Sequence, residues 1–209
     1  VDHRKLAERV AVIETETALE KPMSLDAQKS IRKLTADIEV LQRRAEESEG
    51  RSRRNNVRFV GFAEDAERAA PDLFLESWLT STVFKDKTPK FFSVERTHRI
   101  PGRRPNPGAP ARPIIARFLN YRDRDLILHL FRTKGPFTHE NCTISAYPDF
   151  TMEVQRKRAT FLEVKRRLRT VGLKYALMFP AKLRIEDGGN TRFFTSPEDA
   201  WTWLHAKGL

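Results

Sequence analysis

The sequence has few cysteines and no long apolar runs, and each shortage excludes a class of protein. Cys142 is the single cysteine among 209 residues, so no disulfide can form within the chain. This usage fits a reducing compartment. No apolar run approaches the ~18 residues that a membrane-spanning helix needs, and no secretory signal is recognisable. We therefore expect neither a disulfide framework nor a membrane-spanning segment.

Patterns of catalytic residues are also missing. The sequence has no Walker-type glycine loop, no Gly-x-Ser-x-Gly and no convincing carboxylate pair. His139 and Cys142 are three residues apart, but no second pair completes a zinc site. We expect neither an enzyme nor a cofactor or metal, and a metal-dependent nuclease is a remote alternative.

Positive charge is abundant, and it is unevenly distributed. The formal net charge is +11 and the isoelectric point is about 10.1. Residues 1–50 contain nine basic and eleven acidic residues, which leaves 30 basic and 17 acidic residues for 51–209. The surplus indicates an anionic partner, with nucleic acid first and an acidic membrane surface second. The binding surface is expected after residue 50.

Apolar residues in the first fifty positions follow a heptad pattern. Steps of three and four alternate, as in the a/d seam of a coiled coil. The seam consists of Ile31, Leu34, Ile38 and Leu41, with Val10 and Ile13 in the same register. The pattern favours a parallel coiled coil, and the alternative is one amphipathic helix folded back on the domain. Pro22 predicts a distorted or broken region over 18–25, with Ser24 as a new N-cap.

Charged residues flank the first part of this seam. Arg9 occupies a g position and Glu14 an e position around Val10 and Ile13. An arginine at g can bond a glutamate at e of a neighbouring chain. This spacing resembles a trimerisation signature of short parallel coiled coils, so it predicts a parallel homotrimer.

The pattern after residue 52 predicts a small sheet domain. The first strand is expected where Val57, Phe59 and Gly61 alternate with Arg58 and Val60. The remaining elements are expected as a helix at 71–84, strands at 91–100 and 114–119, a helix at 122–135 and a strand at 142–147. The order βαββαβ, with one helix-covered and one open face, suggests a ferredoxin-like sandwich. RNA recognition motifs share that topology, but their usual aromatic pattern is absent.

The last sixty residues predict a second, smaller α/β domain. A helix is expected at 151–171 with Thr151 as its N-cap, followed by a hairpin that turns at a Gly-Gly-Asn sequence. Ser196 is expected to cap a last helix that has Pro197 at its first position. The predicted division is a coiled coil at 1–52, an RRM-type domain at 53–148 and a C-terminal nucleic-acid-binding domain at 149–209, in an α+β chain.

Several stretches occur in a specific order behind the heptads. They are "RSRRNNVRFVGF", "VERTHRI", the basic loop before "PIIARF", and "FPAKLRI". This combination resembles the RNA-binding protein encoded by the first open reading frame of L-one-type LINE retrotransposons. The resemblance implies a homotrimer with a coiled coil, an atypical RNA recognition motif and a C-terminal domain. It further implies coating of single-stranded RNA, strand-exchange (chaperone) activity, and cytoplasmic ribonucleoprotein particles, with the nucleus as a second location.

The resemblance also implies a set of RNA contacts. These are Asn56, Arg58, Arg96, Arg99, Arg103, Arg104, Arg112, Arg117, Arg156, Lys157, Arg158, Phe179 and Lys182. Single-stranded DNA is an expected second ligand, and a membrane is not expected. Mammalian members usually have tyrosine where this chain has Phe179, so stacking is retained and a phenolic hydrogen bond is lost.

Other interpretations of the same residues stay open. A single arginine can be a solvated surface charge, and Phe179 can be a core residue. Arg53, Arg54 and Asn55 can simply end the first helix. The alternative function is a coiled-coil interaction scaffold whose basic domain binds an acidic protein or a membrane surface.

Overall fold

The structure is a computed structural model that describes residues 2–85, 89, 92–106 and 108–209, with the backbone alone at 16–24. Two compact units are present, one up to Ser48 and one from Glu49 to Leu209. The architecture is α+β with two antiparallel sheets, as the sequence predicts. No helix among the described residues is long and apolar enough to span a membrane.

The first helix is continuous. Helix α1 spans His3–Ser52, so the break expected over 18–25, with Ser24 as an N-cap, is wrong. A proline removes one intrahelical hydrogen bond, while the turns on either side of it keep theirs. Pro22 therefore does not end the helix.

The heptad seam of α1 is exposed. Its apolar side chains are between 48% and 62% accessible to solvent, although large apolar residues in a folded unit are usually buried. They are Leu6, Val10, Ile13, Ile31, Leu34, Ile38 and Leu41. The coiled coil itself stays a prediction.

The larger sheet follows the predicted element order with one addition. Its elements are β1 (Asn56–Val60), α2 (Pro71–Trp78, continued by a π-helix Leu79–Phe84), β2 (Val94–Arg99), β3 (Ile114–Phe118), α3 (Tyr121–Thr133), β4 (Phe137–His139) and β5 (Cys142–Pro148). The strand order is β2-β3-β1-β5-β4, and all the pairs are antiparallel. The sequence pattern missed β4, and residue 91 of the predicted second strand lies outside the described residues.

One face of this sheet builds the larger core. Side chains from alternate strand positions pack against α2 and α3, and each buried large apolar side chain contributes ~1.5–3 kcal/mol. The central members are Val57, Phe59, Leu75, Trp78, Ile114, Ala116, Phe118, Ile127, Phe131 and Ile144. Because side chains alternate between faces, the intervening residues point to the other, open face.

Gly61 allows β1 to end close to β5. Its φ is +116°, and an added Cβ would lie 2.1 Å from the Thr143 carbonyl oxygen. No residue with a side chain fits that space, so glycine is required where the chain leaves the sheet.

The smaller sheet and its helices form a second group of elements. They are α4 (Met152–Ala159), α5 (Leu162–Thr170), β6 (Lys174–Met178), β7 (Lys182–Asp187), β8 (Asn190–Phe194) and α6 (Pro197–Ala206). Two predicted caps are confirmed: Thr151 Oγ1 accepts from the Val154 amide, and Ser196 Oγ accepts from the Asp199 amide. These caps satisfy amides that the first helical turn leaves unpaired.

Two predictions for this region are wrong. The expected helix over 151–171 is two helices, α4 and α5, that meet where Phe161 is buried. The expected two-stranded hairpin is a three-stranded sheet, because the chain turns between Met178 and Lys182. Pro180 has no amide hydrogen to donate, which is consistent with a turn at this point.

The smaller sheet has its own core. It contains Phe161, Val164, Leu168, Leu183, Ile185, Ala200 and Leu204. The core is distinct from the larger one, and the domain at 149–209 stays a prediction.

Candidate nucleic-acid interface

The open face of the larger sheet carries a row of polar residues on its central strands. Val57 and Phe59 of β1 are buried, so strand alternation turns Asn56 and Arg58 to the open side. Cross-strand pairing aligns Asn56 with Arg117 and Arg117 with Arg96. Directly opposite residues have Cβ atoms about 5 Å apart. Three predicted contacts, from β1, β2 and β3, are therefore neighbours.

The two arginines of this row remain accessible. Arg96 is exposed, and Arg117 is about half exposed while its Nε donates to Glu95 Oε2 at 2.9 Å. An ion pair this exposed contributes ~0.2–1 kcal/mol, so a phosphate can displace it at little cost. Both guanidinium groups are available to an anionic ligand.

A second row contains an aromatic residue that the sequence analysis missed. Arg58 pairs with Tyr147 of β5, and Ile115 pairs with His98 of β2. Tyr147 is 54% exposed on the open side. The alternation of "CTISAY" around buried Ile144 is the signal that could have found it. An arginine and a tyrosine side by side can bind a phosphate and stack a base.

A buried carboxylate organises the edge of this face. Asp149 is 5% exposed, and its oxygens accept from Asn56 Nδ2 at 3.0 Å and from Arg53 Nη1 at 3.2 Å. Arg58 Nη2 lies 3.9 Å from the same carboxylate. The pairs hold Asn56 and Arg58 in place, because a buried carboxylate is stable only with such partners. The sequence analysis did not identify Asp149.

The stretch "SRRNN", residues 52–56, connects the end of α1 to this sheet. Arg53 also pairs with Glu49 at 2.8 Å, and the Arg54 guanidinium lies 4.6 Å from the centre of the Tyr121 ring. Asn55 Nδ2 donates to the Phe118 carbonyl at 3.1 Å. These contacts favour the structural interpretation of Arg53, Arg54 and Asn55.

Arg99 lies on the helix-covered side of the sheet, opposite to Arg96. It donates two bonds of 2.6 Å to the Glu67 carboxylate, and its other three N–H groups go to backbone carbonyls. Those carbonyls belong to Phe62, Ala63 and Arg112. Its side chain is 7% exposed, and all five donors are used. This geometry favours a structural role for Arg99 over an RNA contact.

Arg112 anchors the end of the basic loop. Its guanidinium binds Glu64, with Nη2 2.7 Å from Oε2, and its backbone amide donates to Oε1 at 2.8 Å. These hydrogen bonds hold the pKa of Glu64 at about 2, well below its ordinary 4.5, although burial acts in the opposite direction. At neutral pH this carboxylate is ionised and the loop is fixed.

The other two loop arginines face solvent. Arg104 pairs with Asp65 at 2.5 Å, and both side chains are largely exposed. Arg103 is exposed, and it has no ion pair with any residue that the structure describes. Of the three loop positions predicted to bind RNA, Arg103 is the most available to a ligand.

Phe179 is a surface residue, so the interpretation as a core residue is wrong. It is 67% exposed, and its ring centre lies 5.9 Å from that of Phe150.

Arg158 holds the turn that carries Phe179, and its guanidinium lies 4.6 Å from the Phe150 ring centre. Arg158 also donates to the carbonyls of Leu177, Met178 and Pro180 at 2.9–3.1 Å. It therefore positions the Phe179 turn, while Phe179 can stack a base.

The remaining predicted contacts are cations on the surface. Arg156 and Lys157 are exposed and pair with Glu153 within α4. Lys182 is exposed, and its Nζ lies 4.6 Å from the Phe193 ring centre. Burial, with Arg158 and Arg169 nearby, lowers the pKa of Lys165, which the sequence analysis did not name. Positive charge is thus concentrated around α4, α5 and β7.

Among the described residues, no group of three or more histidine, cysteine, aspartate or glutamate side chains could hold a metal ion. What this arrangement offers a ligand is accessible arginines, aromatic rings and one buried carboxylate that orders two of its neighbours. These groups suit a flexible, negatively charged polymer whose own aromatic rings are free to stack.

No family model matches the chain. It is 29% identical over 163 residues to the LINE-1 retrotransposable element ORF1 protein of Mus musculus, which covers 77% of the chain and 44% of that protein. It is 24% identical over 158 residues to the LINE-1 type transposase domain-containing protein 1 of Mus musculus, and 23% identical over 150 residues to that of Homo sapiens. These two matches cover 75% and 71% of the chain, and 20% and 17% of the relatives.

The chain thus spans less than half the length of these curated relatives. The matches cover most of the chain. They confirm the resemblance that the residues indicate: over most of its length this chain is similar to the LINE-1 ORF1 protein.

Proposed function

We propose that this retrotransposon-associated chain binds single-stranded RNA with little sequence preference, and single-stranded DNA as a second ligand. Its role is to coat element RNA in a cytoplasmic ribonucleoprotein particle and to act as a nucleic-acid chaperone without a catalytic centre. The observation that carries the proposal is the open face of the larger sheet. There Arg96 and Arg117 lie opposite each other on β2 and β3, and Arg58 lies opposite Tyr147, whose ring is exposed.

The chemistry of this face supports a single strand. Arginine binds phosphates and stacks on planar rings, and each base stacked on an aromatic side chain adds ~1–3 kcal/mol. Stacking on a ring face tolerates every base, so little sequence preference is expected. In a duplex the bases are already stacked on one another, so Tyr147 and Phe179 would contribute little.

The sheet supports an RRM-type assignment. The element order βαββαβ is present with one inserted strand, and β1 and β3 are central in the sheet. Such domains usually stack bases on aromatics of the third strand, where this chain has Arg117. Tyr147 on the neighbouring part of the open face can supply a ring instead.

The exposed seam of α1 supports self-association as a parallel homotrimer. Ile31, Leu34 and Ile38 would be buried between helices, since each exposed apolar side chain gains ~1.5–3 kcal/mol on burial. Three joined copies would raise the affinity for a long strand through effective concentration. The proposed division is then a stalk at 1–52, an RRM-type domain at 53–148 and a C-terminal domain at 149–209.

The binding proposal is tested by titrating the chain with single-stranded and with duplex RNA of matched length over a series of salt concentrations. Tighter binding of the single strand is expected, with a log–log salt slope of about −0.7 per phosphate contact. Equal and weak binding of both ligands would favour the scaffold that binds an acidic protein or a membrane surface.

The self-association is tested by sedimentation of the chain and of its Ile38→Asp variant. We expect three times the chain mass for the first and a lower mass for the second, because a charge in the seam opposes burial. The variant is expected to keep the binding of short single strands, since the sheet face lies in the other unit. A monomeric wild-type chain would contradict the trimer.

A further inference from the structure

The smaller sheet has an outer face whose strands carry few of the predicted RNA contacts. Leu183 and Ile185 of β7 are buried in the smaller core. The residues that alternate with them, Lys182 and Arg184, therefore point outward. Lys182 belongs to the predicted contacts, but Arg184 does not.

Two exposed apolar side chains lie beside these cations. Arg184 is paired across the sheet with Phe193 of β8, and Lys182 with Met178 of β6. Phe193 is 49% exposed and Met178 is 46% exposed. The Lys182 ammonium lies 4.6 Å from the centre of the Phe193 ring, within cation–π distance. We call these four residues, Met178, Lys182, Arg184 and Phe193, the outer platform.

We infer that the outer platform binds a further segment of the same single-stranded nucleic acid. One base stacks on Phe193, and the adjoining phosphates contact Lys182 and Arg184. The inference rests on the proposed function, and it extends the path of the strand beyond Phe179 onto the smaller sheet.

The position of the platform connects it to the proposed interface. Met178 directly precedes Phe179, the exposed ring that the Arg158 contacts hold at the turn. A base stacked on Phe179 would therefore place its neighbour close to Met178, the first residue of the platform. Consecutive stacking positions are typical of surfaces that follow a single strand.

Charge and composition favour nucleic acid over a protein partner. Lys174, Lys182 and Arg184 outnumber Glu186, which is paired with Arg184 at 2.7 Å, on this side of the sheet. The apolar part is limited to Met178 and Phe193, whereas a stable protein interface needs ~800 Å² on each partner with an apolar core. Cations interleaved with one ring match a strand with alternating phosphates and bases.

The platform is tested with fluorescein-labelled oligouridylate long enough to span both sheets, measured by anisotropy. We expect Phe193→Leu to weaken binding by about 5- to 150-fold, the value of one stacked base. Phe193→Tyr, which keeps the ring, is expected to stay within about twofold of the wild type. The tyrosine variant shows whether the sheet tolerates a change at this position.

A matched pair of arginine variants separates contact from general charge. Arg184→Ala removes a platform cation, and Arg192→Ala removes the same charge from the other side of β8, opposite Ile185. We expect Arg184→Ala to lower the log–log salt slope by about 0.7, the value of one phosphate contact. Arg192→Ala is expected to change it by less than half of that amount.

Three outcomes would overturn the inference while leaving the proposed function intact. In all of them the wild type binds oligouridylate. In the first, Phe193→Leu and Arg184→Ala bind as the wild type does. In the second, Arg184→Ala and Arg192→Ala have equal effects. In the third, Phe193→Leu leaves binding unchanged but lowers the sedimenting mass, which would make the platform a contact between protein chains. A wild type that fails to bind oligouridylate contradicts the proposed function itself.

Discussion

In strand β2, Arg96 is exposed on the open side of the larger sheet, whereas Arg99, three residues later, is 7% exposed on the helix-covered side. Arg96 has no ion pair with any residue that the structure describes, and Arg99 has every N–H group engaged. The two side chains have the same chemistry and the same strand. They differ in the face to which the backbone directs them.

The difference shows that positive charge alone does not define a nucleic-acid surface. Arg99 and Arg112 hold the 62–67 segment and the basic loop together through Glu67 and Glu64. Arg96 and Arg117 lie on the face that such internal pairs leave accessible. Substitutions on the covered face should therefore affect stability, and substitutions on the open face should affect binding.

The largest effect is expected for Arg99→Ala. Breaking a buried ion pair from one side leaves the Glu67 carboxylate uncompensated, which costs ~3–5 kcal/mol. Urea unfolding followed by tryptophan fluorescence measures the loss. Arg96→Ala is the matched control on the same strand and should change the free energy of unfolding by ~0.5 kcal/mol or less. Equal destabilisation by both variants would contradict the assigned faces.

The next effect is expected for Arg96→Ala combined with Arg117→Ala. Loss of two phosphate contacts should lower the affinity for single-stranded RNA by roughly 10- to 100-fold and flatten the salt slope by about 1.4. The unfolding midpoint should stay close to that of the wild type. Full affinity in this variant, measured by filter binding, would show that the open face does not bind RNA.

A smaller effect is expected for Tyr147→Leu. One stacked base contributes ~1–3 kcal/mol, and the lower end applies because the ring is 54% exposed, so affinity should fall about fivefold. Tyr147→Phe keeps the ring and should bind like the wild type. If the phenylalanine variant loses as much as the leucine variant, the hydroxyl and not stacking is responsible.

The last effect appears only on acidification, and it concerns the contact between Glu64 and Arg112. The pKa of Glu64 is about 2 in the folded chain and near 4.5 when unfolded, so its contribution to stability is complete above pH 4.5. That contribution is lost as the pH falls from about 4.5 to about 2, because protonation of the Glu64 carboxylate removes its ion pair with Arg112. Unfolding measured in this window should show a steeper loss for the wild type than for Glu64→Gln. Parallel curves would contradict the role of this carboxylate.

Much of the fold follows from local patterns. The alternation around Val57 and Ile114 predicts β1 and β3, and the side chains of Thr151 and Ser196 predict helix starts that the structure confirms. Strand β4 has three residues, too few to form a recognisable period. The division between α4 and α5 depends on the burial of Phe161, which is a property of the packed core.

The face of each β2 residue could not be read from the sequence. Simple alternation from buried Val94 would turn Arg96 inward and Arg99 outward. The pairing with β3 shifts between Val94 and Arg96, and such a bulge reverses the faces that follow. Sequence patterns therefore identify β2 as basic, but the bulge decides that Arg96 faces the open side and Arg99 the helices.

The central claim is that a single strand lies on the open face of the larger sheet and continues past Phe179. The most direct measurement is photo-crosslinking of the intact chain to single-stranded RNA containing 4-thiouridine, followed by mapping of the modified peptides. Cross-links are expected at Tyr147 and Phe179 and in the strands that carry Arg96 and Arg117. Cross-links confined to α2 and α3, on the covered side of the same sheet, would contradict it.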